Sequence, residues 1–130
     1  LIAHKLTSIP GSSDYFLGSL IAYAYEVKTH SLGVDKKDLL EHGAVSEAVV
    51  TQMAEGARNA MKTDYAIAVS GIAGPDGGTD EKPVGTVWVS VSGPNGTRAK
   101  KHQFGHNRKR NIEMSANTGL NMLRKELSFS

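Results

Sequence analysis

The stretch Thr86-Val87-Trp88-Val89-Ser90-Val91-Ser92-Gly93-Pro94-Asn95-Gly96-Thr97 decides the fold of this chain. Val87, Val89 and Val91 alternate with Trp88, Ser90 and Ser92, the period of two that a β-strand presents. Gly93-Pro94-Asn95-Gly96 reads as a hairpin turn. Thr97 to Phe104 returns as a more polar strand suited to a sheet edge, so one antiparallel pair is fixed. Working backwards, the apolar run Tyr65-Ala66-Ile67-Ala68-Val69 marks a buried strand over Asp64 to Ser70. Between these strands lies a loop with several glycines and two prolines, Gly71-Ile72-Ala73-Gly74-Pro75 through Lys82-Pro83-Val84-Gly85. Glycine lets backbone N–H groups approach a ligand closely, so such a loop can cradle an anion or a polar headgroup. It also serves as a long turn between strands. It matches neither a P-loop nor a Gly-x-Gly-x-x-Gly fingerprint.

Further towards the N-terminus the pattern turns helical. Ser46 is a good N-cap for a long helix, Glu47 to Lys62, with Val49, Val50, Met53, Ala54, Ala57, Ala60 and Met61 on one face. Asp35 caps a shorter helix, Lys36 to Glu41, closed by Gly43. Lys28 to Leu32 forms a short helical turn stopped by Gly33. Before it, Phe16 to Tyr25 is rich in aromatic, branched and small residues and reads as the first strand. At the other end, Asn107 caps a final helix with Ile112, Ala116, Leu120, Leu123 and Leu127 along one face. The helical crossover after the first strand suits a parallel pairing. Together with the hairpin this predicts a mixed sheet covered by helices, an α/β layered domain.

Size and composition agree with a single domain. The chain has 130 residues, 39% hydrophobic and 22% charged, with a net charge of +2. That is enough for one core, and the charge is too small to argue for nucleic acid. Without cysteine there are no disulfides and no thiolate metal sites. No apolar run approaches a membrane span and no signal peptide is visible, so a cytoplasmic location is expected. Leu1 to Ile9 carries Ile2, Leu6 and Ile9 at helical spacing, with no initiator Met and no cap ahead of it. It reads as the rear of a helix, and the chain as a fragment of a longer protein.

Three constellations could carry chemistry. In Tyr23-Ala24-Tyr25-Glu26-Val27-Lys28 a lysine stands at a strand exit, where α/β sheets tend to hold ligands. Burial could make Lys28 a general base; on spacing alone a solvated lysine opening a helix is the favoured reading. Tyr23 and Tyr25 alternate in phase on one sheet face, for which plain packing is an equal explanation. Ser70 lacks the preceding glycine of a nucleophile elbow, which points to a hydrogen-bonding role or a simple strand-end serine. Among the basic residues Arg98, Lys100, Lys101, His102, His106, Arg108, Lys109 and Arg110, Arg108 beside the cap Asn107 makes a fork for phosphate or carboxylate. For nucleic acid only Phe104 offers an aromatic platform in that run. The five histidines show no metal-ligand spacing.

These motifs together resemble the C-terminal domain of the CinA (competence/damage-inducible) proteins, found also as a stand-alone bacterial nicotinamide-nucleotide amidohydrolase. The matching stretches are Leu6 to Ser13, Tyr23 to Lys28, Leu32-Gly33-Val34, His42 to Glu47, Ser70 to Pro75 and Lys82 to Trp88. They run in family order and, with the Asn107-Arg108 helix start, cover nearly the whole chain. The resemblance implies a three-layer α/β/α sandwich that hydrolyses the carboxamide of nicotinamide mononucleotide to nicotinic acid mononucleotide and ammonia, by a serine nucleophile and a lysine base. It implies no metal and no cofactor, and association into a dimer or larger homo-oligomer. Lys28 falls at the family's lysine, Tyr23 at its strand-end tyrosine, and Ser70 where many members carry threonine. Gly71, Ile72, Ala73 and Gly74 fall in its substrate loop and Arg108 at its helix-opening arginine.

In that assignment Lys28 takes the serine proton, Ser70 and Tyr23 orient base and substrate, and Arg108 holds the phosphate. Backbone N–H groups stabilise the oxyanion. The family's nucleophile stands in a Glu-Ser-Cys-Thr-Gly-Gly motif just ahead of the position of Leu1. The expectation is therefore that the native protein continues upstream and that these residues alone are nearly inactive. Tyr25 stands where the family commonly has asparagine. Two other readings stand beside this one: a non-catalytic module that binds a pyridine nucleotide within a larger protein, and a small basic RNA-binding domain. Neither a nucleic acid nor a membrane partner is expected.

Overall fold

The computed structural model describes residues 1–128. Its elements are α1 (Ile2–Thr7), α2 (Tyr25–Leu32), α3 (Lys36–His42), α4 (Glu47–Met61), β1 (Ala66–Gly71), β2 (Thr86–Gly93), β3 (Gly96–Gln103) and α5 (Arg108–Ser128). The three strands form one sheet in the order β1-β2-β3. The hairpin has the expected register, with Gly93 opposite Gly96 and Val89 opposite Lys100. β1 also pairs antiparallel with β2, Val69 opposite Val89. Among the described residues the sheet is thus antiparallel throughout, not mixed.

The three layers follow from the pleat. Ala68 and Ser90 pair across β1 and β2 on the face covered by α4, where Ala68 joins Val49, Val50, Met53 and Ala54 in the core. Ile67 and Val69 point the other way, towards α5, where they lie beneath Gly119. A helix on each face buries both sides of β2, which is why Val87, Val89 and Val91 are buried together with Thr86, Ser90 and Ser92. Ser90 meets this by donating from Oγ to the Val50 carbonyl at 2.7 Å. Thr97 donates from Oγ1 to Ser92 Oγ at 3.0 Å. Buried hydroxyls of this size are tolerated because each finds a partner.

The caps behave as their chemistry dictates. Asp35 accepts from the N–H of Lys37 and Asp38, Ser46 from that of Val49, and Asn107 from that of Arg110. Gly33 ends α2 with φ +68°, a conformation glycine adopts at no steric cost. No helix among the described residues is long and apolar enough to cross a membrane.

Two local expectations fail. Phe16 to Tyr25 is not a strand: residues 16–24 belong to no strand or helix, and Tyr25 opens α2 three residues before the expected helical start. A strand exists by pairing. None of the backbone N–H groups of residues 17–23 reaches a described partner, and Leu17, Leu20, Ile21 and Tyr23 are exposed. With Tyr25 helical, Tyr23 and Tyr25 do not share a sheet face. On α5 the expected stripe fails only in part: Ala116 is buried and Leu120 and Leu123 are half-buried, but Ile112 and Leu127 are exposed, and Asn111, Ser115 and Gly119 are the other buried positions. Small residues lie on the sheet because the helix approaches it closely: a Cβ on Gly119 would stand 3.0 Å from Ile67 Cγ2.

Close approach also fixes Gly56 on α4, where a Cβ would lie 1.7 Å from the Leu32 carbonyl oxygen of α2. Backbone cannot yield as a flexible side chain does. Gly56→Ala is expected to destabilise the domain by roughly 1–3 kcal/mol, the usual range for overpacking, read from the urea midpoint. Gly105→Ala, with nothing within 4 Å of its Cβ, is expected to stay within about 0.5 kcal/mol of the parent.

Candidate active site

Lys28 lies on the second turn of α2 with 6% of its surface exposed. Its ammonium turns back over the start of the helix and donates to the carbonyls of Ala22 at 2.5 Å and Tyr23 at 3.3 Å. The Nζ also stands 6.0 Å from the centre of the Tyr25 ring. The salt bridges among the described residues are Lys5–Glu113 and Arg98–Glu126, so no carboxylate neutralises Lys28. Burial without a counter-ion disfavours the charged form and lowers its pKa below the ordinary lysine value. This is the environment of a lysine that can accept a proton, and it removes the solvated-lysine alternative.

Tyr23 meets Lys28 through its backbone carbonyl, while its side chain is 85% exposed. Ser70, near the end of β1, donates from Oγ to the Ala44 carbonyl at 2.8 Å and so ties the sheet to the turn before α4. No hydrogen bond joins Ser70 to Lys28 among the described residues. The two stand as separate groups.

The glycine loop is held along its length. Ile72 donates to the Thr86 carbonyl at 3.0 Å, and Gly85 donates to the Ile72 carbonyl at 2.8 Å. Asn111 Nδ2 donates to the Ala73 carbonyl at 3.0 Å, and Arg108 Nη1 to that of Gly74 at 2.9 Å. Farther along, Lys82 donates from Nζ to the His42 carbonyl at the end of α3. Gly74 has φ +89°, and a Cβ there would meet Val84 Cγ1 at 2.5 Å, so both conformation and space require glycine. The loop is a built feature rather than slack between strands.

Arg108 therefore does more than open a helix. One of its nitrogens holds the loop, and Nε and Nη2 make no hydrogen bond to a described residue. Asn111 is the residue that sequence reasoning missed. A polar side chain at a position facing the sheet was the available signal, obscured by the stripe that ran through its exposed neighbour Ile112.

Elsewhere, His102 stacks on Phe104 with ring centroids 5.6 Å apart. Its pKa is lowered first by burial and then by Lys100. Asp38, Glu41 and His42 bring three possible ligand atoms within 4.8 Å of one another on α3, a grouping the histidine spacing did not suggest. It is largely exposed, and the Asp38 carboxylate already accepts from Gln52 at 2.8 Å. Two open depressions along α4, bordered by Gly33 and Gly56 and by His42 and Ser46, include none of the predicted site residues.

Comparison with known proteins identifies the family to which this fold belongs. The family model of the CinA C-terminal domain matches residues 1–127. A CinA-like protein of Salinibacter ruber is 52% identical over 128 residues, 98% of this chain and 31% of that protein. One from Gloeobacter violaceus is 43% identical over 129 residues, 98% of this chain and 30% of that protein. The chain thus spans less than a third of the length of these curated relatives. Among solved structures, the competence/damage inducible protein CihA from Agrobacterium tumefaciens superposes with a TM-score of 0.93 at 37% identity, covering 95% of this chain and 76% of that one. A CinA superfamily protein from Klebsiella pneumoniae gives 0.94 at 28% identity, covering 99% and 81%. The chain belongs to the CinA C-terminal domain family.

Proposed function

We propose that this domain carries the base and the substrate loop of a nicotinamide mononucleotide deamidase whose nucleophilic serine is supplied by chain ahead of Leu1. The observation that carries the reading is Lys28: a buried ammonium with two carbonyl acceptors, no carboxylate and a lowered pKa. Such a group exists neutral at a lower pH than an ordinary lysine does, which suits a general base.

In the reaction, neutral Lys28 takes the hydroxyl proton as the serine oxygen bonds to the carboxamide carbon. The carbonyl electron pair moves onto oxygen, where backbone N–H groups stabilise it. The adduct collapses, the C–N bond breaks, and the Lys28 ammonium returns its proton to the leaving ammonia. Water then repeats the sequence on the acyl-serine: Lys28 takes its proton, the carboxylate forms, and the serine oxygen is reprotonated. Arg108, with Nε and Nη2 uncommitted, holds the phosphate. Ser70 and Tyr23 act at one remove, Ser70 by fixing the strand end and Tyr23 by accepting from Lys28. The protein functions as a homo-oligomer in the cytoplasm.

Ammonia release from nicotinamide mononucleotide by the full-length natural protein tests this. Lys28→Ala is expected to lower kcat by about 10²–10⁴-fold, the usual worth of a positioned base. In the parent protein kcat rises with pH up to a plateau reached below the ordinary lysine pKa, because the base acts when neutral. A folded full-length protein that binds the nucleotide without releasing ammonia would leave a binding module instead.

Burial of Lys28 also has a stability signature. Between its folded pKa and the ordinary lysine value the unfolded chain binds more protons, so this group makes stability rise with pH across that window. Its cost is full below the folded pKa and absent above the ordinary value. Lys28→Met, which keeps the bulk without the charge, is expected to have a higher Tm than the parent at pH 7. The difference shrinks as pH approaches the ordinary lysine pKa, measured by calorimetry across that range.

A further inference from the structure

Three successive carbonyls of the glycine loop are occupied. Ile72 O accepts from Gly85 N at 2.8 Å, Ala73 O from Asn111 Nδ2 at 3.0 Å, and Gly74 O from Arg108 Nη1 at 2.9 Å. The corresponding donors are not: neither the Ala73 nor the Gly74 N–H reaches an acceptor among the described residues. In a trans peptide the N–H points opposite to the C=O of the same plane. The Gly74 N–H is therefore turned away from Asn111, and the Ala73 N–H away from Gly85. Gly85 and Asn111 both approach Gly105: a Cβ on Gly85 would stand 2.4 Å from Gly105 O, and Asn111 Nδ2 donates to that oxygen at 2.9 Å. Each free amide is thus turned away from the donor that holds the carbonyl of its own peptide plane, and Gly74 has φ +89°. Consecutive N–H groups with one residue in the left-handed region make a concavity for an anionic oxygen.

Asn111 is what sets this direction for Gly74. It is 2% exposed, and its Nδ2 bridges the Ala73 and Gly105 carbonyls. That orientation of the amide leaves Oδ1 buried with no partner. The reverse orientation would press Oδ1 against two carbonyl oxygens, so the present one is imposed. An unfilled buried acceptor is a cost to stability, since it has given up water without gaining a partner. The side chain carries that cost while doing one thing for the rest of the protein, which is to orient the loop from α5.

We propose that Asn111 is a positioning residue whose carboxamide turns the Ala73 and Gly74 amides towards an anionic oxygen of the bound ligand. This rests on the reading of the loop as part of a nucleotide deamidase site. Two oxygens have the right chemistry, the oxyanion formed at the carboxamide and the phosphate. They are told apart by whether loss of Asn111 lowers kcat or raises KM.

The test uses the ¹⁵N-labelled full-length protein and Asn111→Asp, which keeps the shape and replaces both donors with acceptors. Nicotinamide mononucleotide is expected to shift the Ala73 and Gly74 amide resonances of the parent, and to shift them far less in the variant at pH 7.5. For the reacting oxygen, kcat falls about 10²-fold, the scale set by an ångström of misplacement. For the phosphate, KM rises instead, and inorganic phosphate alone moves the same two resonances. The ratio of parent to variant activity narrows as pH falls, because the introduced carboxyl group regains one O–H donor when it is protonated. Asn111→Gln, which retains the carboxamide, keeps more activity than Asn111→Asp.

Unchanged kcat and KM in folded Asn111→Asp overturns the proposal, as do Ala73 and Gly74 amides that ignore the nucleotide in the parent. Should the aspartate variant not fold, Asn111→Ala is held to the same criteria. If the parent releases no ammonia yet its amides respond to the nucleotide through Asn111, the deamidase reading fails and this inference stands. Ammonia release indifferent to Asn111 gives the reverse.

Discussion

The domain depends on β2 being covered on both faces. Eight residues of one strand, Thr86 to Gly93, carry α4 on one side and α5 on the other, and each remaining element is placed by what that strand leaves room for. On the α4 side Thr86, Ser90 and Ser92 present small side chains whose hydroxyls are all satisfied locally. On the α5 side three valines meet a helix whose own buried residues are small. Burial of a branched side chain is worth about 1.5–3 kcal/mol, so the valines supply driving force. The hydroxyls supply connection instead, as in the bond from Ser90 to the backbone of α4.

Once α5 is seated on the sheet, its first turns lie over the glycine loop, and this couples packing to the proposed site. Arg108 and Asn111, three residues apart and hence neighbours on one helix face, hold consecutive carbonyls of the loop. A shift of α5 along β2 would move both donors together. The same logic holds at the other end of the loop, where Lys82 reaches the end of α3 and Ser70 reaches the turn before α4. The loop is thus tied to both helical layers. Preorganised backbone donors cost little reorganisation when charge develops, and in the proposed reaction this mutual anchoring is what supplies that preorganisation.

Lys28 is held by a different device. Its helix begins at Tyr25, after the N-cap residue Ala24 and without a side-chain cap, and the lysine reaches back to the carbonyls just before that start. The arrangement consumes two acceptors that could otherwise have joined a strand. It leaves the ammonium out of water with no opposing charge, and that lack of compensation is what lowers its pKa.

Much of this was legible in the sequence where the signal is local. The Val/Ser alternation, the hairpin glycines, the caps at Asp35, Ser46 and Asn107, and the family motifs around Lys28 and the glycine loop all depend on residues close in the chain. Their geometry follows from bond angles and the nearest hydrogen bond. Tertiary structure alone decided what depends on distant partners. Phe16 to Tyr25 has strand composition, yet pairing makes a strand and none of the described residues supplies it. The face α5 buries was set by how closely the helix can approach β1, which favours Ser115, Ala116 and Gly119 over larger leucines. Asn111 shows locally only as a polar residue on the helix; its role was decided by tertiary structure, because its partners, Ala73 and Gly105, come from two loops that only the packed sheet and helix bring to one point.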